Sequence, residues 1–190
     1  MAAQKPRRNG IWKRVQAWLH RGHSRSVSGS PTVFLSKAVW CFEKQLSFSL
    51  PDQMLQIAEP KGQVLFEDTK NGMYLRVMKM PYRQPLQHVT VTDLQIAFRR
   101  FISVNLFPEV THGYLRHSPM LTAVWFHPPA QKQFRRGNVE VTLKKGAEKT
   151  VLRLIQVRKT VFLLLFTDVS PDAEPYMEAI LHSVSVKTGQ

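Results

Sequence analysis

RKTVFLLLFTDVSPDAEPYMEAILHSVSV, residues 158–186, decides the fold. Its apolar run, Val161–Phe166, is six residues long, far short of the roughly 20 that a helix needs to cross a bilayer. Bounded by turn-forming residues, such a run reads as a strand. A strand that is apolar at every position must bury both faces, so it belongs in the middle of a covered sheet. A helix is predicted next, with Asp172 as its cap and Pro175 at the third helical position, where a missing N–H donor costs nothing. Met177, Ile180, Leu181 and Val184 then fall at i, i+3, i+4 and i+7. That stripe is predicted to roof the sheet behind VFLLLF.

Outward from this segment the pattern is mostly that of strands. GNVEVTLKK (137–145) alternates Val139, Val141 and Leu143 with polar residues, and TVLRLIQV (150–157) follows after GAE. With RKT as the next turn, the spacing predicts a meander in which 138–144 pair with 150–157 and these with 161–166. MLTAVWF (120–126) is a further strand, set between His117-Ser118-Pro119 and the turn-like HPPAQKQ. In QVLFEDTKNGMYLRVMKMP (63–81), Asn71-Gly72 predicts a hairpin, with Met73, Leu75 and Val77 alternating against Tyr74, Arg76 and Met78. FSLPDQ begins another strand. VTDLQIAFRRFISVNLFPEV (91–110) changes to a helical period, with Leu94, Ala97, Phe98, Phe101, Ile102 and Asn105 on one face, Thr92 or Asp93 as cap and Pro108 as the end. Strands, helix, strands and helix, joined by hairpins and without an internal repeat, define an α+β fold: an antiparallel β-sheet flanked by helices in an α/β/α sandwich.

The order LSFSLPD, GMYLRVMKMP, DLQIAFRRFISVNLFPEV, meander, and TVFLLLFTDVSPDAEPYMEAILHSVSV resembles the PsbP/DcrB-like superfamily over residues 45–187. The resemblance lies in element order and hydrophobic pattern, including a closing helix that runs into a short segment like His182-Ser183-Val184-Ser185-Val186. It implies an α/β/α sandwich used as a binding platform. Members serve as extrinsic photosystem subunits, as a nuclear-import factor that binds a small GTPase, and as chaperones or adaptors for secreted effectors. It implies no shared set of catalytic residues.

Charge is uneven along the chain. Of 27 Lys and Arg, eight precede Glu43, the first acid; the remaining 19 face all 13 Asp and Glu. The formal charge of +14 is therefore mainly a property of the start of the chain. Residues 1–32 read as a basic extension ending in a Ser/Gly/Pro-rich linker, and 33–190 as one sandwich domain. Within the extension, Ile11, Trp12, Val15, Trp18 and Leu19 set a short amphipathic helix with Lys13, Arg14 and Arg21 around it. Such a helix suits a membrane-surface contact, a nucleic-acid arm or an organelle-targeting segment. No apolar signal core stands in the first 30 residues, and the lone Cys41 suits a reducing cytoplasm or an organelle matrix.

Chemical motifs are sparse. His112, His117 and His127 fall close in sequence without a nearby cysteine or a carboxylate at ligand spacing, so no metal site is expected, although with Tyr114 they are the only candidates for an enzyme pocket. Cys41, between Trp40 and Phe42, reads as a core or interface residue rather than a nucleophile. Glu67-Asp68 and Asp172-Glu174 sit where strand ends and helix starts explain them. There is no Gly-rich phosphate loop and no nucleophile elbow, so no cofactor and no enzymatic activity are expected. The meander pairing would instead gather Arg135, Arg136, Arg158 and Lys159 at one sheet end, with Lys144, Lys145 and Lys149 at the other.

The reading that follows is a non-catalytic protein-binding subunit or adaptor. Its partner is acidic or offers an apolar groove, and its contacts are Trp12, Lys13, Arg14, Trp18, Arg135, Arg136, Arg158 and Lys159. The alternative is a nucleic-acid-binding protein that uses the same cations.

Overall fold

The computed structural model of the chain describes residues 33–58, 62–102, 105–136 and 139–187, which lie in one unit, Thr32–Gln190. The expected tail helix, with Trp12, Lys13, Arg14 and Trp18, lies outside the described residues. The chain runs through β1 (Lys37–Cys41), β2 (Leu46–Leu50), β3 (Met54–Ala58), β4 (Gln63–Asp68), β5 (Tyr74–Pro81), a 3-10 turn (Leu86–His88), α1 (Val91–Phe98), β6 (Glu109–Leu115) and β7 (Ser118–His127). It continues through β8 (Ala130–Arg136), β9 (Val139–Lys145), β10 (Glu148–Val157), β11 (Thr160–Val169), α2 (Glu174–Ser183) and β12 (Ser185–Val186).

VFLLLF lies in β11, the middle strand of a seven-stranded antiparallel sheet of order β3-β4-β5-β11-β10-β7-β6. Its side chains alternate between two cores. Phe162, Leu164 and Phe166 join Leu75, Val77, Val151 and Ile155 on one face; Val161, Leu163 and Leu165 join Leu121, Trp125, Leu152 and Leu154 on the other. The gross hydrophobic gain from these six side chains, about 1.5–3 kcal/mol each, is comparable to the whole net stability of a domain.

Met177, Ile180, Leu181 and Val184 are buried over the first face, as the helical stripe predicts. The layer they form is shared with a small sheet, β1-β2-β12, which contributes Leu46, Phe48 and Leu50. Phe48 meets Phe66 edge-on at 5.9 Å. The Ser49 amide donates to Ser183 Oγ at 2.8 Å, tying the end of α2 to β2. Arg153, on the same face, donates to the Leu181 carbonyl at 3.4 Å; burial pushes its pKa down, while the nearby Glu178 carboxylate acts to raise it. Leu86, Leu94, Phe98 and Ile102 cover the second face.

Four expectations need correction. First, β9 does not pair with β10. It pairs with β8, while β10 lies between β7 and β11. Second, α1 starts one residue before the expected caps: Thr90 is the N-cap, and Asp93 is the third helical residue of a reciprocal capping box. Third, α1 ends at Phe98, ten residues before Pro108, leaving Phe101 41% exposed. Fourth, Asp172 does not cap α2. Its N-cap is Ala173, so Pro175 is the second helical residue rather than the third, and Ser170 accepts the Ala173 and Glu174 amides through its carbonyl.

The β4–β5 hairpin forms, with Gly72 at φ +78, but its turn is organised by Asp68. The fully buried carboxylate accepts the Lys70 and Asn71 amides at 3.0 Å each and the Asn71 side-chain amide at 2.8 Å. These bonds fill acceptor positions that water would otherwise occupy.

Asp93 supplies a pH-dependent contact. Its carboxylate accepts the Thr90 amide at 2.9 Å and the Thr90 hydroxyl at 2.8 Å, and these bonds hold its pKa below the ordinary carboxylate value. A lowered folded-state pKa gives stability that is complete above the unfolded value and is lost as pH falls through the folded one. Denaturant titrations between about pH 5 and about pH 2 should therefore show a smaller acid-range loss for Asp93→Asn than for the native chain. Identical slopes would contradict the capping role.

Candidate functional site

Four of the expected contact residues lie in described backbone, and the structure does not bring them together. Arg135 and Arg136 end β8, beyond the Glu148 end of β10, whereas Arg158 and Lys159 form the turn after Val157 at its other end. The length of β10 alone, about 3.4 Å for each residue, separates the two pairs. The clustering depended on a β9–β10 pairing that is not made.

Arg158 and Lys159 have other neighbours. β10 and β11 are joined by these two residues alone, with Val157 opposite Thr160, and β6 and β7 are joined by Arg116-His117, with Leu115 opposite Ser118. Because β10 lies beside β7, the two turns emerge from the same end of the sheet. The segment after β5 arrives there too: the Tyr82 amide donates to the Lys159 carbonyl at 3.1 Å, setting Arg83 beside that turn. Arg83, Arg116, His117, Arg158 and Lys159 are all exposed. Among the described residues, Arg83, Arg116 and Lys159 make no ion pair, and no carboxylate stands in the three segments that meet here.

The opposite end of the sheet carries both signs of charge. Antiparallel order places Glu67 and Asp68 (end of β4), Glu109 (start of β6), Glu148 (start of β10) and Asp168 (near the end of β11) there. Lys149, expected to mark a basic end, is paired with Glu174 at 2.5 Å. The carboxylates of the seven strands thus all lie at that end, in the company of Lys70, Lys144, Lys145 and Lys149, while among the described residues the turns at the other end carry cations alone. A cluster of cations without nearby carboxylates raises the local positive potential.

Backbone conformation adds a second signal. Arg116 has φ +56 and Arg158 φ +54, each at the first position of its two-residue turn. Glycine occupies this left-handed region at little steric cost, whereas a side chain costs about 1–2 kcal/mol. An arginine at both positions is a local cost matched by two outward-facing cations.

On the flank of this end, Leu86, His112, Tyr114, Pro119 and Met120 line a recess of about 110 Å³. His112 Nε2 lies 3.2 Å from the Leu86 carbonyl, and Tyr114 is 66% exposed. His117 stands in the turn above, but His127 is at the far end of β7, bonded to Thr150 Oγ1 at 2.9 Å. The three histidines therefore do not converge. Among the described residues, no three His, Cys, Asp or Glu side chains are placed to hold a metal ion. Cys41 is buried in the first core, as its apolar neighbours predict.

Arg83 and Arg116 are absent from the expected contact residues, and His117 was expected only beside a pocket; nothing marks 109–115 as the strand that makes Arg116-His117 a tip. EVTHGYL has no apolar alternation, yet it is what turns Arg116-His117 into a hairpin tip. The usable signal was the gap of only two residues before the next strand.

No protein-family model matches the chain. No curated protein matches it. Solved structures do. The chain is similar to the solution structure of cyanobacterial PsbP (CyanoP) from Synechocystis sp. PCC 6803, with a TM-score of 0.50 and 14% identity, over 86% of this chain and 98% of that one. A crystal structure from Bacteroides thetaiotaomicron VPI-5482 matches at a TM-score of 0.45 and 10% identity over 81% of this chain, which spans about half (49%) of that chain. The chain has a PsbP-like α/β fold, as its element order predicts. At these identities the likeness is one of fold.

Replacing Arg116 by glycine relieves the left-handed side chain but adds unfolded-state freedom. Urea unfolding of Arg116→Gly should show stability equal to the native chain or up to about 1 kcal/mol higher, with weaker retention on immobilised polyglutamate. A clear loss of stability would contradict the strain assigned to this turn.

Proposed function

We propose that the protein is a non-catalytic binding subunit or adaptor that receives an acidic protein surface at the end of the sheet carrying Arg83, Arg116, Arg158 and Lys159. The observation that carries this reading is one end of the strands whose described turns bear exposed cations and no carboxylate, whereas at the other end carboxylates and lysines are mixed. The extension, with Trp12, Lys13, Arg14 and Trp18, supplies a second contact in this proposal. The dispersal of His112, His117 and His127 supports a binding rather than a catalytic role. A reducing cytoplasm or organelle matrix is the proposed setting.

A protein partner is favoured over nucleic acid because Phe162, Phe166 and Trp125 are buried and the sheet cannot stack bases on them. Cations at hairpin tips form a compact patch rather than a groove that tracks a phosphate backbone.

Crosslinking in extracts identifies the partner, and recovery of that same partner then compares variants. Replacing Arg83, Arg116, Arg158 and Lys159 together by glutamine should lower recovery about tenfold and flatten its salt dependence, while the melting temperature stays unchanged. A chain starting at Val33 should lose less. Equal recovery by the four-residue variant would overturn the proposal, and retention of RNA or DNA on filters at low salt would favour nucleic acid.

A further inference from the structure

β8 and β9 pair with each other and with no other strand among the described residues. Their pairing nevertheless continues that of β7 and β10. His127 opposite Glu148 closes one ladder, Ala130 opposite Lys145 opens the next, and the intervening positions leave the register unchanged. Pro128 and Pro129 occupy those positions and have no N–H to donate, so the ladder lapses there and resumes at Ala130. The result is a two-stranded ribbon continuing the hairpin past the end of the sheet that carries Glu148. Seven residues at about 3.4 Å each make it about 24 Å long.

Register sorts its residues. Opposed residues share a face and faces alternate along a strand. Lys132–Leu143, Phe134–Val141 and Arg136–Val139 are opposed pairs of one face, which Ala130–Lys145 completes at the base. Gln131–Lys144, Gln133–Thr142 and Arg135–Glu140 form the other face. Every large apolar residue of the ribbon thus holds a position on the first face, interleaved with three cations and no acid. The second face is wholly polar.

A two-stranded ribbon with no further strand beside it among the described residues is marginal in water, so a surface that takes its apolar positions would stabilise it. A second copy laid face to face would set Lys132, Arg136 and Lys145 against like charges. An anionic bilayer surface meets both demands: the interface takes the apolar residues and acidic headgroups take the cations.

We propose that the β8–β9 ribbon is a membrane-surface contact that lays the face bearing Phe134, Val139, Val141 and Leu143 onto anionic lipid. It is a separate surface from the basic turns at the other end of the sheet, so either can fail without the other.

The test uses the full chain and vesicles of phosphatidylcholine, alone or with about 30 mol % phosphatidylglycerol, at about 0.1 M salt. Lys132→Gln with Arg136→Gln and Arg135→Gln with Lys144→Gln remove the same charge from opposite faces. The first pair should weaken co-sedimentation with the anionic vesicles about tenfold and the second less than twofold. Phe134→Ser, which keeps every charge, should weaken it like the first pair. A vesicle-induced blue shift should appear for Phe134→Trp and not for Gln133→Trp, relative to the native chain. Equal loss from both charge pairs would show diffuse attraction, including that of the basic extension, and would overturn the proposal. So would the absence of a shift for Phe134→Trp. A loss of partner recovery with unchanged vesicle binding would make this face a protein contact and equally refute it.

Discussion

The fold depends on one strand being buried on both sides. In β11, three alternate side chains enter one core and three enter the other, so neither face of the central sheet can be left to water. Everything outside the sheet follows from that constraint. On one side α2 and the β1-β2-β12 sheet supply a lid; on the other α1 and the 3-10 turn do so with Leu94, Phe98 and Leu86. The roof stripe of α2 is short, but the chain after β11 turns back immediately, so the two parts of the first core are close in sequence. Local closure of this kind carries little loop entropy.

The parts of the fold legible in the sequence were those with the densest apolar signal. β11, β10, β7, β5 and α2 each carry a period that burial later satisfies. Edge elements were less legible, for a physical reason: β3 and β6 border solvent, and Leu55 and Ile57, two apart and so on one face of β3, both lie exposed. The β9 pairing failed differently. Its alternation was read correctly, but alternation fixes a face and not a neighbour, and Pro128-Pro129 marks a lapse within one long hairpin rather than its end. The start of α1 was misplaced because threonine and aspartate both cap helices, and only the reciprocal bonds of Thr90 and Asp93 distinguish cap from third residue.

Much less of the candidate site was legible. Arg158 and Lys159 were visible as a basic turn, but their companions depend on which strands lie side by side. Arg83 and Arg116 reach the same edge from positions 75 and 42 residues earlier than Arg158, through β5 and β7. Topology also gathers cations that are scattered in sequence at one strand end whose described turns have no carboxylate. Steering by such a field acts on encounter rate and orientation. The hydrophobic frame fixes where the hairpin tips emerge, and the tips carry the charge.

Native-state amide exchange tests the double burial of β11 most directly. Amides of Phe162–Phe166 should exchange only through global unfolding, with opening free energies equal to the stability measured by denaturant, while those of β3 and β8 exchange through local opening. Amides of β11 exchanging as fast as those of β3 would contradict the account.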